Sequence, residues 1–390
     1  MSRPIPDPHV VRAFLDPKHG DLSTKLGHFV AKEIAPLPDP HDDAAARKQA
    51  REILSVLGHG GWYEAIQEQD FRSCALIREA LAYASPLADA VFALQALGCT
   101  PIALEGSKEQ KQRWLDPAMS GEAMAAFAMT EAEAGSDVAS MTTSAQRDGN
   151  YYVLNGQKTL ISNAGIADFY TIFASTDTSK GSKGISCFVV PADTAGLKFV
   201  RPLVMSAPHP LGDIALVDCR VPSGSLLGSE GEGFKLGMAT LDRLRATVGA
   251  AACGMANRAL HEALSHATSR TQFGKELAEF QLIQQKLARM ATDLVAARLL
   301  VYRAAWEKDN GAERVTLESA MAKAFATEAA QRIVDDAVQV LGGRGVLADN
   351  PVDRLYRSVR SLRIYEGATE IQQLIIAGQL IKQHKQAEAD

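Results

Sequence analysis

The period of the hydrophobic residues changes twice along this chain, and that double change limits the architectures open to it. From Asp21 to about Ala118 the apolar residues keep helical spacing: Leu22, Leu26, Phe29, Val30 and Ile34, then Ile53, Leu54, Val56 and Leu57, then a long apolar segment from Cys74 to Leu97. Pro36, Pro38 and Pro40 punctuate the first two runs. After Phe127 the texture becomes β-like. Asp148-Gly149 and Asn155-Gly156 flank the run Tyr151–Leu154, a hairpin signal, and further strand-like runs follow at 170–174, 185–190, 197–200 and 214–218. Helical periodicity returns at Phe234 and persists to His266, from Gln281 to Lys308 and from Val315 to Leu341. Asn310-Gly311 and Gly342-Gly343 stop the last two, and a shorter helix is predicted from about Ala368 to Gln383. The expected fold class is α+β and multidomain: an N-terminal helical domain (1–125), a middle β-barrel domain (126–232) and a C-terminal four-helix bundle (233–390). Residues 1–20, with four prolines, read as a loose arm. Asp89 reads as a helix-surface or capped acid, with a pocket lining as the alternative.

Composition narrows the partners. Hydrophobic residues are 46% and charged residues 22%, so 390 residues can build two or three units around large cores. A net charge of −5 gives no support for nucleic acid or an anionic membrane as partner. The five cysteines are scattered, odd in number and lack any CxxC pair, which points to reduced thiols and no metal site. No run approaches the ~18 apolar residues of a membrane span. The start, MSRPIPDPHV, has no apolar h-region, so the expected location is cytoplasmic, or the mitochondrial matrix if a transit peptide was removed.

No GxGxxG opens a helix after a strand and no Walker-type loop exists, so neither a Rossmann unit nor a P-loop is expected. Gly228, Gly231 and Gly233 read as a linker. The stretch Phe127–Ser140, FAMTEAEAGSDVAS, is built from small side chains with polar groups at Thr130, Glu131, Ser136 and Asp137. Such a segment lets a backbone approach a ligand closely and offers hydroxyls to a polar ring or phosphate. A plain turn leading into a strand accounts for an isolated AGSD equally well.

Four stretches in register resemble the acyl-CoA dehydrogenase family: AMTExxAGSDxxS, then RTQFG with Gln281, then QVLGGRGVLADNPVDR (339–354), then IYEGATEIQ (364–372). The resemblance runs from about Asp21 to the C-terminus. It implies FAD as cofactor, an acyl-CoA substrate, an electron-transferring flavoprotein as acceptor and a homotetramer. It also implies residue roles. Phe127, Met129, Thr130, Ser136, Leu160 and Ser162 would lie about the flavin ring, with Ser136 also near the acyl-CoA. Arg270, Gln272, Phe273 and Gln281 would reach the pyrophosphate and adenosine of a neighbour's FAD. Gln339, Gly342, Gly343 and Glu370 would complete the cofactor site. Asp242, Arg245 and Gly367 would line the substrate region, although alone the first two read as an i,i+3 ion pair. Glu366 would be the catalytic base, in a reaction that removes a proton alpha to a thioester while FAD accepts hydride from the beta carbon.

The sequence also departs from the family pattern. Leu244 occupies the alternative base position, leaving Glu366 as the one candidate. Leu160 replaces a flavin-covering Trp, Ala368 a Thr and Ser358 an acid, and the segment 206–212, SAPHPLG, is unusual. The rivals to an FAD-dependent dehydrogenase are a flavin oxidase or monooxygenase of the same fold, and a non-catalytic acyl-CoA- or flavin-binding paralogue.

Overall fold

The computed structural model describes residues 7–388. The chain divides into two compact units, one of residues 1–37, 69–89 and 242–390, the other of residues 38–68 and 90–241. Helices are α1 Pro17–Phe29, α2 Asp43–His59, α3 Glu64–Gln67, α4 Phe71–Ala84, α5 Pro86–Glu105, α6 Lys108–Gln110, α7 Asp116–Met119, α8 Gly233–Ser269, α9 Gln281–Asp309, α10 Thr316–Leu341, α11 Pro351–Leu362 and α12 Thr369–Ala387. The unit boundaries fall inside α5, after Asp89, and inside α8, after Leu241.

In the first unit α10 packs on α9, α11 and α12, and α4 packs on α1 and α9. Almost every residue of α4 is buried, polar ones included. Each of its buried charges has a partner: Arg72 with Asp309 at 2.8 Å, Arg78 with Asp89 at 2.8 and 3.0 Å, and Glu79 with Arg298 at 2.7 Å and the Tyr302 hydroxyl at 2.7 Å. Paired charges of this kind add little net stability, but removing one partner strands the other and costs ~3–5 kcal/mol. Gly254 allows α8 to approach α4, since a Cβ there would stand 2.2 Å from the Glu79 carbonyl oxygen.

The second unit is built on a sheet of strands β1 Ala125–Ala128, β2 Ser144–Asp148, β3 Tyr151–Ser162, β4 Phe169–Ser175, β5 Ile185–Pro191, β6 Leu197–Pro202, β7 Leu211–Pro222 and β8 Leu226–Leu227. Its order is β6-β7-β3-β2-β4-β5-β8, with β1 paired parallel to β4. Strand alternation sends Tyr170, Ile172 and Ala174 of β4 into one apolar cluster and Phe169 and Phe173 into another, the second shared with Cys99, Ile102 and Leu236. Every residue of β4 is therefore buried. Each large side chain so buried is worth ~1.5–3 kcal/mol.

The fold matches the expected class, and four local expectations need correction. Residues 1–6 of the proposed loose arm lie outside the described residues, but Pro8–Phe14 is a 3₁₀ turn capped by Asp7 and Pro17 opens α1. The segment from Cys74 to Leu97 is two helices, because Pro86 supplies no N–H to continue α4 and instead begins α5. Residues 351–362 form a helix that periodicity missed, with Asn350 as its cap and Pro351 at its first position. Asp89 is a core residue, 1% exposed and held by Arg78. In addition, α5 is long and apolar enough to cross a membrane by length and composition, though most of it is buried in the protein.

Candidate active site

Between α11 and α12 the chain makes a tight turn, Ile364–Ala368. Glu366 and Gly367 both adopt left-handed backbone, φ +53° and +91°. For glutamate that conformation costs ~1–2 kcal/mol, so something must hold it. The Gly367 carbonyl accepts hydrogen bonds from Lys323 Nζ at 2.8 Å and Gln372 Nε2 at 2.9 Å, and the same amide donates to the Glu366 carbonyl at 3.3 Å. The φ of +91° is strained for any other residue, and a Cβ on residue 367 would lie 2.4 Å from Gln372 Nε2, so an added methyl would also displace the amide that holds the turn. Glu328 ties down the flanks, accepting from Arg363 at 2.7 Å and from the Thr369 hydroxyl at 2.8 Å.

This turn leaves Glu366 partly exposed as a residue while its Oε2 is enclosed without a hydrogen-bond partner. Burial raises its pKa above the usual carboxylate value. The charges of Arg78, Lys323 and Arg245 oppose that rise, and Asp89 adds to it. The three cations differ in what else they hold. Arg78 is engaged by Asp89, and Arg245 by Asp242 at 2.6 Å, which also accepts from the Thr316 hydroxyl at 2.7 Å. Lys323 is fully buried, with a carbonyl and no carboxylate within ion-pair distance among the described residues. Burial lowers it to about 8, against the upward pull of Glu366. Leu244 is buried and apolar, as its identity implied.

The second unit carries the remaining ring-site residues. Phe127 leans on Phe173 with centroids 4.9 Å apart, and Met129 is buried. Beyond them the chain turns on itself through Glu131 and Ala134. Glu131 is not a ligand-facing acid. Its carboxylate accepts from Thr142 N at 2.6 Å, Thr143 N at 3.0 Å and Lys158 Nζ at 2.8 Å, which fixes the loop on β3. The Thr130 and Ser136 hydroxyls have no partner among the described residues, and the space beside Gly135 is open. Leu160, 57% exposed at φ +55°, is turned outward where the register of β3 against β7 shifts. Ser162 Oγ lies 2.9 Å from His209 Nε2, and burial with the nearby Arg47 charge pushes His209 down to about 4, so the imidazole is neutral. Free hydroxyls around small, open backbone fit a polar ring system such as a flavin, and no feature of this face opposes one.

The residues assigned to a neighbour's cofactor are all on the surface of the first unit. Arg270, Gln272 and Phe273 belong to a two-residue hairpin (β9 Thr271–Gln272, β10 Lys275–Glu276) whose tip, Phe273-Gly274, has φ +51° and +80°. Positive φ at both tip residues is what a type I′ hairpin requires, and the aromatic residue there, 94% exposed, is strained and leans edge-on against Phe280 with ring centroids 6.2 Å apart. Gln281 starts α9, Gln339 and Gly342-Gly343 end α10, and Glu370 opens α12, all exposed. Asp242 and Arg245 do form the i,i+3 pair, within the environment of Glu366. Lys323, Gln372 and Arg78 escaped sequence reasoning as site residues; Asp89 entered it only with a pocket lining as the alternative, and His209 only within the unusual segment 206–212. For Lys323 the signal was a lone lysine inside an alanine-rich helical stripe, AMAKAFA.

Comparison with known proteins gives matches over most of the chain. The N-terminal, middle and C-terminal domains of acyl-CoA dehydrogenase match residues 16–122, 126–219 and 231–381. A 3-(aryl)acrylate reductase from Clostridium sporogenes is 40% identical over 373 residues, covering 93% of this chain and 98% of its own. The butyryl-CoA dehydrogenase structure from Megasphaera elsdenii superposes with a TM-score of 0.88 at 34% identity, over 94% of this chain and 99% of that one. A chain from the electron transferring flavoprotein study of Acidaminococcus fermentans gives the same TM-score and identity, over 94% and 98%. With all three domains matched in order and relatives of this similarity over nearly full length, the chain belongs to the acyl-CoA dehydrogenase family of FAD-dependent oxidoreductases.

Proposed function

We propose that the protein dehydrogenates an acyl-CoA thioester between its alpha and beta carbons, forming the trans-2-enoyl-CoA, with Glu366 as base. The carrying observation is the Glu366 carboxylate itself, enclosed, unpartnered at Oε2 and raised in pKa by burial. A base of that kind is stronger than a carboxylate in water, and it is free to take a proton because no donor occupies it. FAD, when bound, supplies the acceptor for the hydride leaving the beta carbon. The chain's own share is to hold Glu366 Oε2 at the alpha carbon, to keep the carboxylate ionised through Arg78, Lys323 and Arg245, and to exclude water by burial. On the sheet unit, Phe127, Met129, Thr130, Ser136, Leu160 and Ser162 would hold the ring system, with hydroxyl protons directed at its acceptor atoms.

The similarity to a butyryl-CoA dehydrogenase favours a short acyl chain, and the similarity to a 3-(aryl)acrylate reductase favours an aryl-substituted one. An electron-transferring flavoprotein is the proposed electron acceptor, and a homotetramer, in which Arg270, Gln272 and Gln339 complete a neighbour's FAD site, the proposed assembly. The deciding experiment is turnover on butyryl-, isobutyryl-, glutaryl- and 3-phenylpropionyl-CoA, first with an artificial electron acceptor and then with oxygen alone. Turnover that needs the acceptor supports the proposal. Equal turnover with oxygen alone makes the protein an oxidase, and none with any thioester overturns the dehydrogenase reading.

A further inference from the structure

The turn that carries Glu366 is strained at two consecutive residues, and the groups that hold it come from two different helices. From α12, Gln372 spans both carbonyls of the turn with one amide nitrogen, 3.3 Å from Glu366 O and 2.9 Å from Gly367 O. From α10, Lys323 reaches the Gly367 carbonyl at 2.8 Å. Both side chains are fully buried. A neutral amide in a protein interior carries no charge to desolvate, and the Nε2 of this one is bonded. An ammonium there is not, because desolvating its charge is expensive unless an anion repays it. The other buried cations around Glu366 have carboxylate partners, Arg78 in Asp89 and Arg245 in Asp242. The charges that act on Lys323 are those of Glu366, Arg245, Glu328 and Glu370, and of the acids Glu328 is already bound to Arg363 and Thr369 and Glu370 is exposed. Of the acids acting on Lys323, Glu366 is thus the one whose carboxylate has no hydrogen-bond partner at Oε2, and Lys323 is the one cation acting on Glu366 that holds the turn and has no carboxylate partner among the described residues.

We propose that Lys323 is the positioning residue of the catalytic base: its ammonium carries the Gly367 carbonyl, which holds the left-handed turn, and serves as the countercharge to the Glu366 carboxylate. The inference rests on the reading of Glu366 as base. It separates two jobs that Gln372 and Lys323 share unequally. Gln372 can hold the turn but carries no charge, whereas Lys323 does both. Loss of Lys323 therefore does two things that loss of Gln372 does not do together. It loosens the turn, and it makes Glu366 harder to ionise, since an opposite charge nearby favours the carboxylate.

The test is the titration of Glu366 in the oxidised holoenzyme, followed as the carboxyl band in pH-dependent infrared difference spectra and identified by its absence in Glu366→Gln. Lys323→Met is expected to move that titration upward by about one pH unit, and Gln372→Leu to leave it where it is. Both variants are expected to slow anaerobic flavin bleaching by the best thioester of the panel by about tenfold to a hundredfold, the usual cost of a misplaced reacting group. Should Lys323→Met fail to accumulate as holoenzyme, Lys323→Gln, which keeps a donor for the carbonyl but no charge, carries the same test. A titration in both lysine variants within about 0.3 unit of wild type, against the unit or more expected of a lost countercharge, overturns the proposal. So does an equal upward shift in Gln372→Leu, which would trace the effect to the turn and not to the charge. Failure of the base reading is distinguishable, because Glu366→Gln would then bleach at close to the wild-type rate whatever Lys323 does.

Discussion

At the scale of single residues, the site depends on a glutamate in a conformation glutamate resists. Glu366 was legible in the sequence because it sits in IYEGATEIQ, and the following Gly367 was legible as a partner of unusual backbone. What holds them was not. Lys323 lies 43 positions before Glu366 in an alanine-rich helix, and no local pattern couples the two until α10 and α12 are packed together. Asp89 failed for the same reason, since its partner Arg78 is on another helix. Gly367→Ala tests the strained turn directly. Its methyl would meet Gln372 Nε2 at 2.4 Å while φ stays at +91°, so we expect a loss of about 1–3 kcal/mol of stability by denaturant unfolding, together with loss of flavin bleaching. Retention of wild-type stability and rate would show that the turn relaxes without cost.

At the scale of elements, the loop between β1 and β2 is fixed by one buried ion pair. Glu131 and Lys158 lie 2.8 Å apart with side chains 7% and 0% exposed. Their shifts point in different ways. Glu131 is lowered to about 2, its burial outweighed by Lys158 and the loop donors, while burial dominates for Lys158 and lowers it as well. The carboxylate direction is the firmer, because it has three hydrogen-bond donors besides the charge. Because its folded pKa lies below the ordinary 4.5, Glu131 contributes stability that is present above about pH 4.5 and is lost as pH falls toward 2. Lys158→Met strands the acid, and we expect it to cost ~3–5 kcal/mol and to weaken FAD retention through the loosened Thr130–Ser136 segment. An unchanged melting temperature would contradict this. The sequence shows Glu131 only as a polar group in a small-residue run, not that its carboxylate turns back onto β3. Helix and strand positions were easier. Runs such as 170–174 and 315–341 carry clear periods, whereas α11 was hidden because its twelve residues begin at Asn350-Pro351 inside a motif rich in turn formers.

At the scale of the whole molecule, the order helices, sheet, helices follows from the two changes of hydrophobic period and is what the three domain matches repeat. The surface of the first unit exposes several large apolar side chains, Phe273 94%, Leu282 75% and Leu374 69%. Together with the exposed Arg270, Gln272, Gln339 and Gly342-Gly343, this favours a dihedral homotetramer. Light scattering should give a tetramer whose dissociation releases flavin; a stable monomer that retains FAD would contradict the assembly. The central claim, that this is a thioester dehydrogenase driven by Glu366, is tested most directly by anaerobic mixing of wild type and Glu366→Gln with the best acyl-CoA of the panel. Wild type should lose its oxidised-flavin absorbance, while the variant should bind the thioester, retain FAD and stay oxidised, slower by at least the ~10²–10⁴-fold that a positioned base supplies. Bleaching of the variant within about tenfold of the wild-type rate, well short of that contribution, would contradict the account.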